Sequence, residues 1–359
     1  MNIAEGFVHL HLHTEFSLLD GAIRIDELVD RLKQMGMNSC AITDHGVMYG
    51  AVRFYEKMIK NGLRPIIGCE VYVAPDSRFN REYDKSVRAY HHLILLAKNN
   101  IGLVNLNKLC SAGFTEGFYR RPRIDKDLLM KHHEGLICLS ACAAGEIPSL
   151  IMNNSYDEAK NSAIWYAKLF GEDNYYLEVQ SNTLPEQSRI NSALIRISRE
   201  TGIGLVATND CHYLNKEDDK AQDVLLCMQT GRKLADTDRM KMETNDFYVK
   251  SEEEMRCFFS QIPEAIENTT RIANMCDAQY DFDTIHLPEY ICPDGFENNG
   301  SYLDYLCNEG MKVRLSKHKP ACEIIEYKKR LSYELSVIKK MGYTDYYLIV
   351  WDFINHAKS

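Results

Sequence analysis

Short β-type apolar runs alternate with helical patterns through the first 208 residues of this chain. Because strands that alternate with helices form sheets covered by those helices, the rhythm predicts an α/β fold with a parallel sheet or barrel. Helical periodicity is clearest over Ile25–Gln34, Tyr49–Lys60 and Glu186–Thr201. The runs that predict strands are Phe7–Thr14, Ser39–Thr43, Arg64–Val73, His92–Ala97, Leu136–Ser140, Tyr175–Val179 and Leu205–Thr208.

The rhythm changes after about residue 215, where helical patterns replace the alternation. Prolines and glycines concentrate in Leu287–Gly300, which predicts a linker. The last 59 residues are helical and charged in pattern, and they end in an aromatic block from Met341 to Phe353. A helix with such an apolar stripe needs a partner, so we expect a boundary inside a larger protein. The predicted organisation is a barrel core over about 1–215, a helical closing segment over about 216–285, a linker over 286–300 and a truncated region over 301–359.

Charge and cysteine content limit the classes of function. The formal net charge of −9 argues against a chain that grips a long nucleic-acid duplex unaided. The longest apolar runs are too short to cross a membrane, and no signal peptide is recognisable at the amino terminus. The 12 cysteines include no CxxC pair and are interpreted as reduced thiols, which predicts a cytoplasmic protein without membrane association.

Imidazoles, carboxylates and one thiol lie mostly at the ends of the apolar runs. They are His11, His13, Asp20, His45, Glu70, His92, Cys142, Asp210 and His212. Strand ends share one rim in barrel enzymes, so we expect these side chains to meet there. Such donors bind divalent cations, and a multinuclear site suits phosphate-ester hydrolysis by a metal-activated water, with no separate catalytic side chain assigned.

Each of these residues also has an ordinary interpretation. His11 and His13 share a strand face, but histidines on a strand are often simply packed. Asp20 precedes a glycine and is typical of a turn, and His45 follows an aspartate that is typical of a helix cap. Cys142 follows an apolar run and is typical of a core. Together the set is hard to attribute to accident. If Cys142 is a ligand, its soft sulfur favours zinc, iron or manganese, with magnesium as the alternative.

A basic loop carries Arg120, Arg121 and Arg123. These side chains are candidates for phosphate or DNA contacts, and the alternative interpretation is a solvated turn. The chain contains no GxxxxGK[ST], GxGxxG or GxSxG motif, so no competing catalytic site is predicted.

Several motifs resemble one known family. Residues 7–21, FVHLHLHTEFSLLDG, resemble the opening of bacterial replicative DNA polymerase III alpha subunits, which is their PHP (polymerase and histidinol phosphatase) domain. Further matches are AITDHG at 41–46, ATNDCHY at 207–213 and SEEEM at 251–255. The block at 342–355 resembles the start of the palm domain of that family. On this resemblance, 1–285 is a PHP domain and 301–359 begins a palm.

The family implies a distorted (β/α)7 barrel of PHP type, followed by a mainly helical segment, and up to three divalent metal ions. In this sequence His11, His13, Glu70 and Asp210 would hold one cation. Glu70 would bridge to a second, shared with His92 and Cys142. The third cation would be held by Asp20, His45 and His212.

The resemblance also implies a function for this fragment. An intact ligand set favours a metal-dependent phosphoesterase, namely a proofreading 3′–5′ exonuclease acting on a DNA primer terminus. The sliding clamp and a proofreading subunit would be partners of the parent polymerase. No polymerase activity is expected, because the catalytic aspartates of the family lie farther along its palm. The alternatives are a freestanding PHP phosphoesterase, such as a histidinol phosphatase, and an inactive metal-stabilised scaffold that binds a proofreading subunit.

Overall fold

A computed structural model describes residues 2–83 and 88–359 and divides the chain into two compact units, Met1–Tyr280 and Asp281–Ser359. Within the described residues, the first unit contains the strands Ser39–Ile42 (β1), Arg64–Val73 (β2), His91–Ala97 (β3), Arg123–Ile124 (β4), Leu136–Leu139 (β5), Tyr175–Gln180 (β6) and Gly204–Thr208 (β7). Its α-helices are Ile25–Gln34 (α1), Ala51–Lys60 (α2), Asn100–Thr115 (α3), Lys126–His132 (α4), Glu146–Met152 (α5), Tyr156–Phe170 (α6), Gln187–Thr201 (α7), Asp219–Thr230 (α8), Glu252–Phe258 (α9) and Pro263–Met275 (α10). The α/β class is therefore confirmed.

The strands form one sheet in the order β1-β2-β3-β5-β6-β7, with β4 paired to β2. Most neighbours are parallel, but β3 runs antiparallel to both β2 and β5. The predicted parallel arrangement therefore holds for the other neighbours and is wrong at β3. The described residues between β2 and β3 form no helix, and only parallel neighbours need a crossover of that kind. The reversal brings the first residues of β3 to the rim where the parallel strands end.

The predicted strand Phe7–Thr14 is an extended segment with isolated bridges rather than a continuous strand. Its main-chain groups are shared between two neighbours. The His9 carbonyl accepts from the N–H of Ala41 in β1 at 2.8 Å, while His13 N–H donates to the Cys211 carbonyl, beyond β7, at 2.8 Å. No regular ladder forms because neither neighbour pairs with all of the main-chain N–H and C=O groups of the segment. The segment links the two edges of the curled sheet.

The inner face of the sheet is apolar at one end and polar at the other. Ile66, Leu96 and Val206 belong to an inner core that also includes Ile272 and Ala273 of α10. The alternating side-chain direction of strands then places Glu70, His92, Glu178 and Thr208 farther along the same face. Helices cover the outer face, where Leu28, Phe54, Leu106 and Leu194 lie in the largest core. The fold thus directs its buried polar side chains to one rim.

The second unit is helical. It contains Asn299–Lys317 (α11), Ile324–Lys340 (α12) and Thr344–Lys358 (α13), which pack through Leu303, Leu335 and Leu348. Among the described residues, no helix is both long enough and apolar enough to span a bilayer.

Candidate metal centre

All nine predicted ligand residues lie at one rim of the sheet. His11 and His13 come from the N-terminal extended segment, Glu70 from β2 and His92 from the start of β3. The others follow strand ends: His45 after β1, Cys142 after β5, and Asp210 and His212 after β7. Asp20 lies on the loop after the N-terminal segment. The reversed direction of β3 explains why His92 precedes its apolar run while the others follow theirs.

The largest group consists of four residues, His11, His13, Glu70 and Asp210, all buried. His11 Nε2 lies 3.0 Å from Glu70 Oε2, 3.1 Å from Asp210 Oδ1 and 3.1 Å from His13 Nε2. Asp210 Oδ1 is also 3.1 Å from His13 Nε2. Ligands held at about 2.0–2.1 Å around a tetrahedral ion lie roughly 3.3 Å apart, so these four donors fit one cation.

Glu70 joins this group to a second. Its Oε1 atom lies 2.8 Å from His45 Nδ1 and 2.7 Å from His92 Nδ1. Cys142 Sγ is 3.6 Å from His92 Nδ1, at the edge of this second group. One carboxylate therefore offers one oxygen to each of two donor clusters.

A third cluster is made of imidazoles. Donor atoms of His13, His45 and His212 lie within 4.8 Å of one another. Asp20 Oδ2 approaches His45 Nε2 at 3.6 Å from the edge of the cluster. The buried His45 Nε2 atom has no hydrogen-bond partner among the described residues. A buried imidazole nitrogen without a partner costs free energy, and a cation would satisfy it. The donor chemistry of the rim fits divalent metal binding.

The electrostatics of the site differ from residue to residue. Burial lowers the pKa of His11, but Asp210 and Glu178 outweigh it and raise that pKa well above its usual value, and the pKa of His45 is raised because Glu70 outweighs burial.

Glu70, Asp210 and His13 are instead shifted toward the states that bind metals. Burial raises the pKa of Glu70, but His92 and His45 outweigh it, and the pKa lies well below its usual value. The pKa of Asp210 is likewise lowered well below its usual value, because His11 and His212 outweigh burial. Burial, reinforced by His45 and His212, lowers the pKa of His13. Charged carboxylates and a neutral imidazole are the forms that coordinate cations.

The thiol behaves differently from the carboxylates. Burial raises the pKa of Cys142 well above its usual value, and the Asp210 and Glu70 carboxylates add to that effect. Cys142 is therefore a neutral thiol unless a cation binds beside it, because coordination deprotonates a thiol.

Hydrogen bonds on the far side of three imidazoles orient their Nε2 atoms toward the rim. His11 Nδ1 contacts Glu178 Oε1 at 2.6 Å, His13 Nδ1 contacts Ser17 Oγ at 3.4 Å, and His212 Nδ1 contacts the Asp210 carbonyl at 2.8 Å. Sequence reasoning missed Glu178 and Ser17. A signal was available for Glu178, because it is a carboxylate inside the apolar run Tyr175–Val179, where an unpaired charge is costly.

The basic loop needs a correction at Arg123. This side chain is buried, and its guanidinium donates to the main-chain carbonyls of Gly117, Ala89, Arg78 and Asn80. It therefore holds the surrounding loops together and cannot face DNA in this structure, so the prediction of a phosphate contact is wrong for Arg123. Burial with backbone partners requires the whole fold and could not be deduced from a local run of arginines.

The other two arginines are accessible. Arg120 is exposed, and its guanidinium carbon lies 5.2 Å from the Tyr119 ring centroid. Arg121 is half-buried, and its guanidinium carbon lies 5.8 Å from the ring centroid of Tyr72. The Tyr72 ring is in turn 5.3 Å from the ring of His92. Arg121 therefore lies on the side of the loop that faces the metal-binding rim.

Replacing Arg123 with methionine should destabilise the first unit by about 3 kcal/mol or more, because it leaves four carbonyl oxygens without their buried donor. Chemical denaturation measures this change. The matched control is Arg120→Met at the exposed neighbour, which should change the free energy of unfolding by less than about 0.5 kcal/mol. Equal stability of the two variants would contradict the structural role of Arg123.

Two family models match the chain. Residues 9–182 match the PHP domain, and residues 301–359 match the bacterial DNA polymerase III alpha NTPase domain. Neither match tests whether 301–359 begins a palm or where the domains end, so these two points stay predictions.

Curated relatives match nearly all of the chain. DNA polymerase III subunit alpha of Borreliella burgdorferi is 48% identical over 358 residues, covering 99% of this chain and 31% of the relative. The proteins of the same name from Treponema pallidum and Helicobacter pylori are 45% and 42% identical, covering 98% and 99% of this chain and 30% and 31% of the relatives. The chain thus spans about a third of the length of these relatives. From the two model matches and these identities, the chain belongs to the bacterial DNA polymerase III alpha family and carries its PHP domain.

Proposed function

We propose that this chain is the N-terminal part of a replicative DNA polymerase and that its PHP domain is a metal-dependent phosphodiesterase, acting as a 3′–5′ exonuclease on a primer terminus. One observation carries the proposal: donor side chains from six separate parts of the chain converge on one rim at hydrogen-bond distances, with Glu70 shared between two groups. Within the family, a PHP domain with an intact donor set favours hydrolysis over a purely structural role.

The proposed ligand sets are those that the family implies; the first coincides with a donor cluster, and the other two overlap the remaining clusters. His11, His13, Glu70 and Asp210 would hold one cation, and Glu70 with His92 and Cys142 a second. Asp20, His45 and His212 would hold a third. Zinc, manganese or iron suits this mixture of nitrogen, oxygen and sulfur donors, with magnesium as the alternative. Bound cations would supply positive charge for a phosphate and activate a water for attack.

Two imidazoles each belong to two of the donor groups. His45 lies 2.8 Å from Glu70 and belongs to the second donor group as well as to the third. His13 is similarly a member of the first and third groups. These shared imidazoles hold the three positions close together, as hydrolysis at adjacent cations requires.

Arg121 is the proposed phosphate-binding side chain of the basic loop. Among the described residues no carboxylate forms an ion pair with it, although the charge of Asp20 is close enough to act on it. A half-buried guanidinium without a paired carboxylate, beside the metal-binding rim, is suited to an incoming anion.

Replacing Arg121 with alanine should lower kcat/KM for phosphodiester cleavage by roughly 10- to 100-fold, since hydrogen bonds to charged groups contribute about 1.5–3 kcal/mol. Steady-state kinetics on a DNA primer measures the effect, and bound metal should be unchanged by elemental analysis. Arg120→Ala is the control and should stay within about twofold of the parent chain. Equal losses in both variants would indicate that the overall positive charge of the loop attracts DNA, rather than a specific contact between Arg121 and a phosphate.

The decisive experiment compares three substrates with the same metal-loaded chain. A primer with a mismatched 3′ terminus, a matched primer and histidinol phosphate are incubated with manganese or zinc. Removal of the mismatched terminal nucleotide supports the proposal. Cleavage of histidinol phosphate alone would favour the phosphatase alternative. Bound metal without any hydrolysis would favour a structural scaffold that recruits a separate proofreading subunit.

The partners in this proposal are those of the parent polymerase. The DNA primer terminus is the substrate, and the sliding clamp and a proofreading subunit would act through the longer protein. The relatives are named as polymerase subunits, which supports a replicative setting for this chain.

A further inference from the structure

Glu178 is a buried carboxylate on the inner face of β6 that belongs to none of the three donor clusters. Its Oε1 atom accepts from His11 Nδ1 at 2.6 Å, from the Thr208 hydroxyl at 2.5 Å and from the Gln180 side-chain amide at 2.9 Å. Its main-chain N–H donates to Ser140 Oγ at 2.8 Å. Three contacts, from the N-terminal segment, β7 and β6, therefore hold this side chain in one orientation, and the fourth fixes its main chain.

No lysine or arginine neutralises Glu178 in the part of the chain that the structure describes. The only ion-pair partner found there is His11, and Glu178 Oε2 is buried without a hydrogen-bond partner. A fully buried carboxylate without a lysine or arginine partner is costly unless its imidazole neighbour carries positive charge. A cation bound to His11 would offset the free-energy cost of burying Glu178.

The contact determines which nitrogen of His11 faces the rim. In neutral His11 a hydrogen on Nδ1 is directed to Glu178, which leaves the lone pair of Nε2 for a cation. That atom is the one that lies 3.0 Å from Glu70 and 3.1 Å from Asp210. Either a proton on Nε2 or a cation between Nε2 and these two carboxylate oxygens makes the contacts favourable.

The other imidazoles of the rim lack this kind of support. His13 Nδ1 has only a hydroxyl at 3.4 Å, and His212 Nδ1 has a main-chain carbonyl. His45 and His92 turn their Nδ1 atoms toward Glu70 itself. Of these five imidazoles, only His11 has a separate charged acceptor behind it.

We infer that Glu178 is a positioning residue for the first metal site: it holds His11 with Nε2 toward the cation and strengthens that nitrogen as a ligand. The inference rests on the metal site of the proposed function. Carboxylates behind ligating histidines typically change metal affinity by 10- to 100-fold. Glu178 acts on the cation only through His11 and does not coordinate it.

The test is a metal titration of the 359-residue chain, with Zn²⁺ competed against a chromophoric chelator. Glu178→Gln keeps the side-chain shape and should weaken one bound equivalent by 10- to 100-fold while leaving the others within about threefold. The matched control is Glu254→Gln, which likewise removes a carboxylate that accepts a side-chain hydroxyl, in this case that of Tyr248, but lies on α9 and belongs to none of the three donor clusters. It should bind Zn²⁺ as the parent chain does.

A double-mutant cycle separates positioning from general packing. If Glu178 acts through His11, Glu178→Gln should have no further effect on Zn²⁺ affinity in a His11→Ala background. Independent losses that multiply would overturn the inference, as would parental affinity in a folded Glu178→Gln variant. If Glu178→Gln does not fold, Thr208→Val removes one bond that orients the carboxylate and should still weaken the same equivalent several-fold. Unchanged affinity in Thr208→Val would then overturn it.

Zn²⁺ affinity does not depend on catalysis, so failure of the exonuclease proposal would leave this result interpretable. A chain that binds Zn²⁺ but hydrolyses nothing can still confirm or reject the role of Glu178.

Discussion

Replacing Glu70 with glutamine is expected to abolish phosphodiester hydrolysis and to remove at least two bound cations. Glu70 is fully buried, with Oε2 3.0 Å from His11 and Oε1 2.8 and 2.7 Å from His45 and His92. A carboxamide cannot supply negative charge to both donor groups, and its N–H₂ group would repel a cation on one side. We expect a fall in kcat of at least about 10³-fold, since a catalytic cation contributes several kcal/mol to the transition state.

The measurement is hydrolysis of a 3′-mismatched primer together with metal content by elemental analysis. His11→Ala and Asp210→Asn should also abolish hydrolysis, but each should lose chiefly the cation of the first group. Glu254→Gln controls for loss of a carboxylate elsewhere in the unit and should retain both activity and metal. Undiminished cleavage in the Glu70, His11 and Asp210 variants would point to a different site or to a contaminating nuclease.

Removing the metal ions is expected to cause the second largest effect, on stability as well as on activity. A ligand present at 1,000 times its dissociation constant stabilises the folded state by about 4.1 kcal/mol per site. Chelation should therefore lower the melting temperature by roughly 8–16 °C for one such site in a unit of this size. Without cations, Glu70, Asp210 and the imidazoles remain packed together in a buried cluster, at a cost that the bound metals would offset.

Differential scanning calorimetry with and without a chelator measures this loss, and manganese or zinc should restore both melting temperature and hydrolysis. Asp210→Asn provides the comparison, because a chain that already lacks the first cation should respond less to the chelator. Hydrolysis that persists after verified metal removal would exclude the proposed chemistry. An unchanged melting temperature in the parent chain would show that the cluster binds metals too weakly to stabilise the fold.

Much of the architecture was predictable because periodicity and strand length are local. The runs at Ser39–Thr43, Arg64–Val73, Tyr175–Val179 and Leu205–Thr208 correspond to β1, β2, β6 and β7 within one or two residues. The direction of β3 was not predictable, since an apolar run reads the same for either orientation. The N-terminal segment was wrongly predicted as a strand because its composition is β-like, while its hydrogen bonds are divided between two distant neighbours.

The candidate site was predictable as a set of residues but not as an arrangement. Donor side chains that end apolar runs are visible in the sequence, because burying them without counter-charges is costly. Which oxygen of Glu70 contacts which imidazole depends on the register of β2 against β3, where Tyr72 lies opposite His92. The roles of Glu178 and Arg123 depend on partners up to 167 residues away and could not be assigned from local pattern.

Residue types and their periodic spacing by themselves predicted the α/β class and the candidate donor residues, because these follow from short-range chemistry, and the resemblance of several motifs predicted the family. Only the tertiary structure decided that β3 runs backward, that Glu70 is shared, that Glu178 supports His11 and that Arg123 is buried. The physical reason is that a hydrogen bond requires its two atoms to lie about 3 Å apart, and only the folding of the whole chain brings residues that are distant in the sequence within that distance.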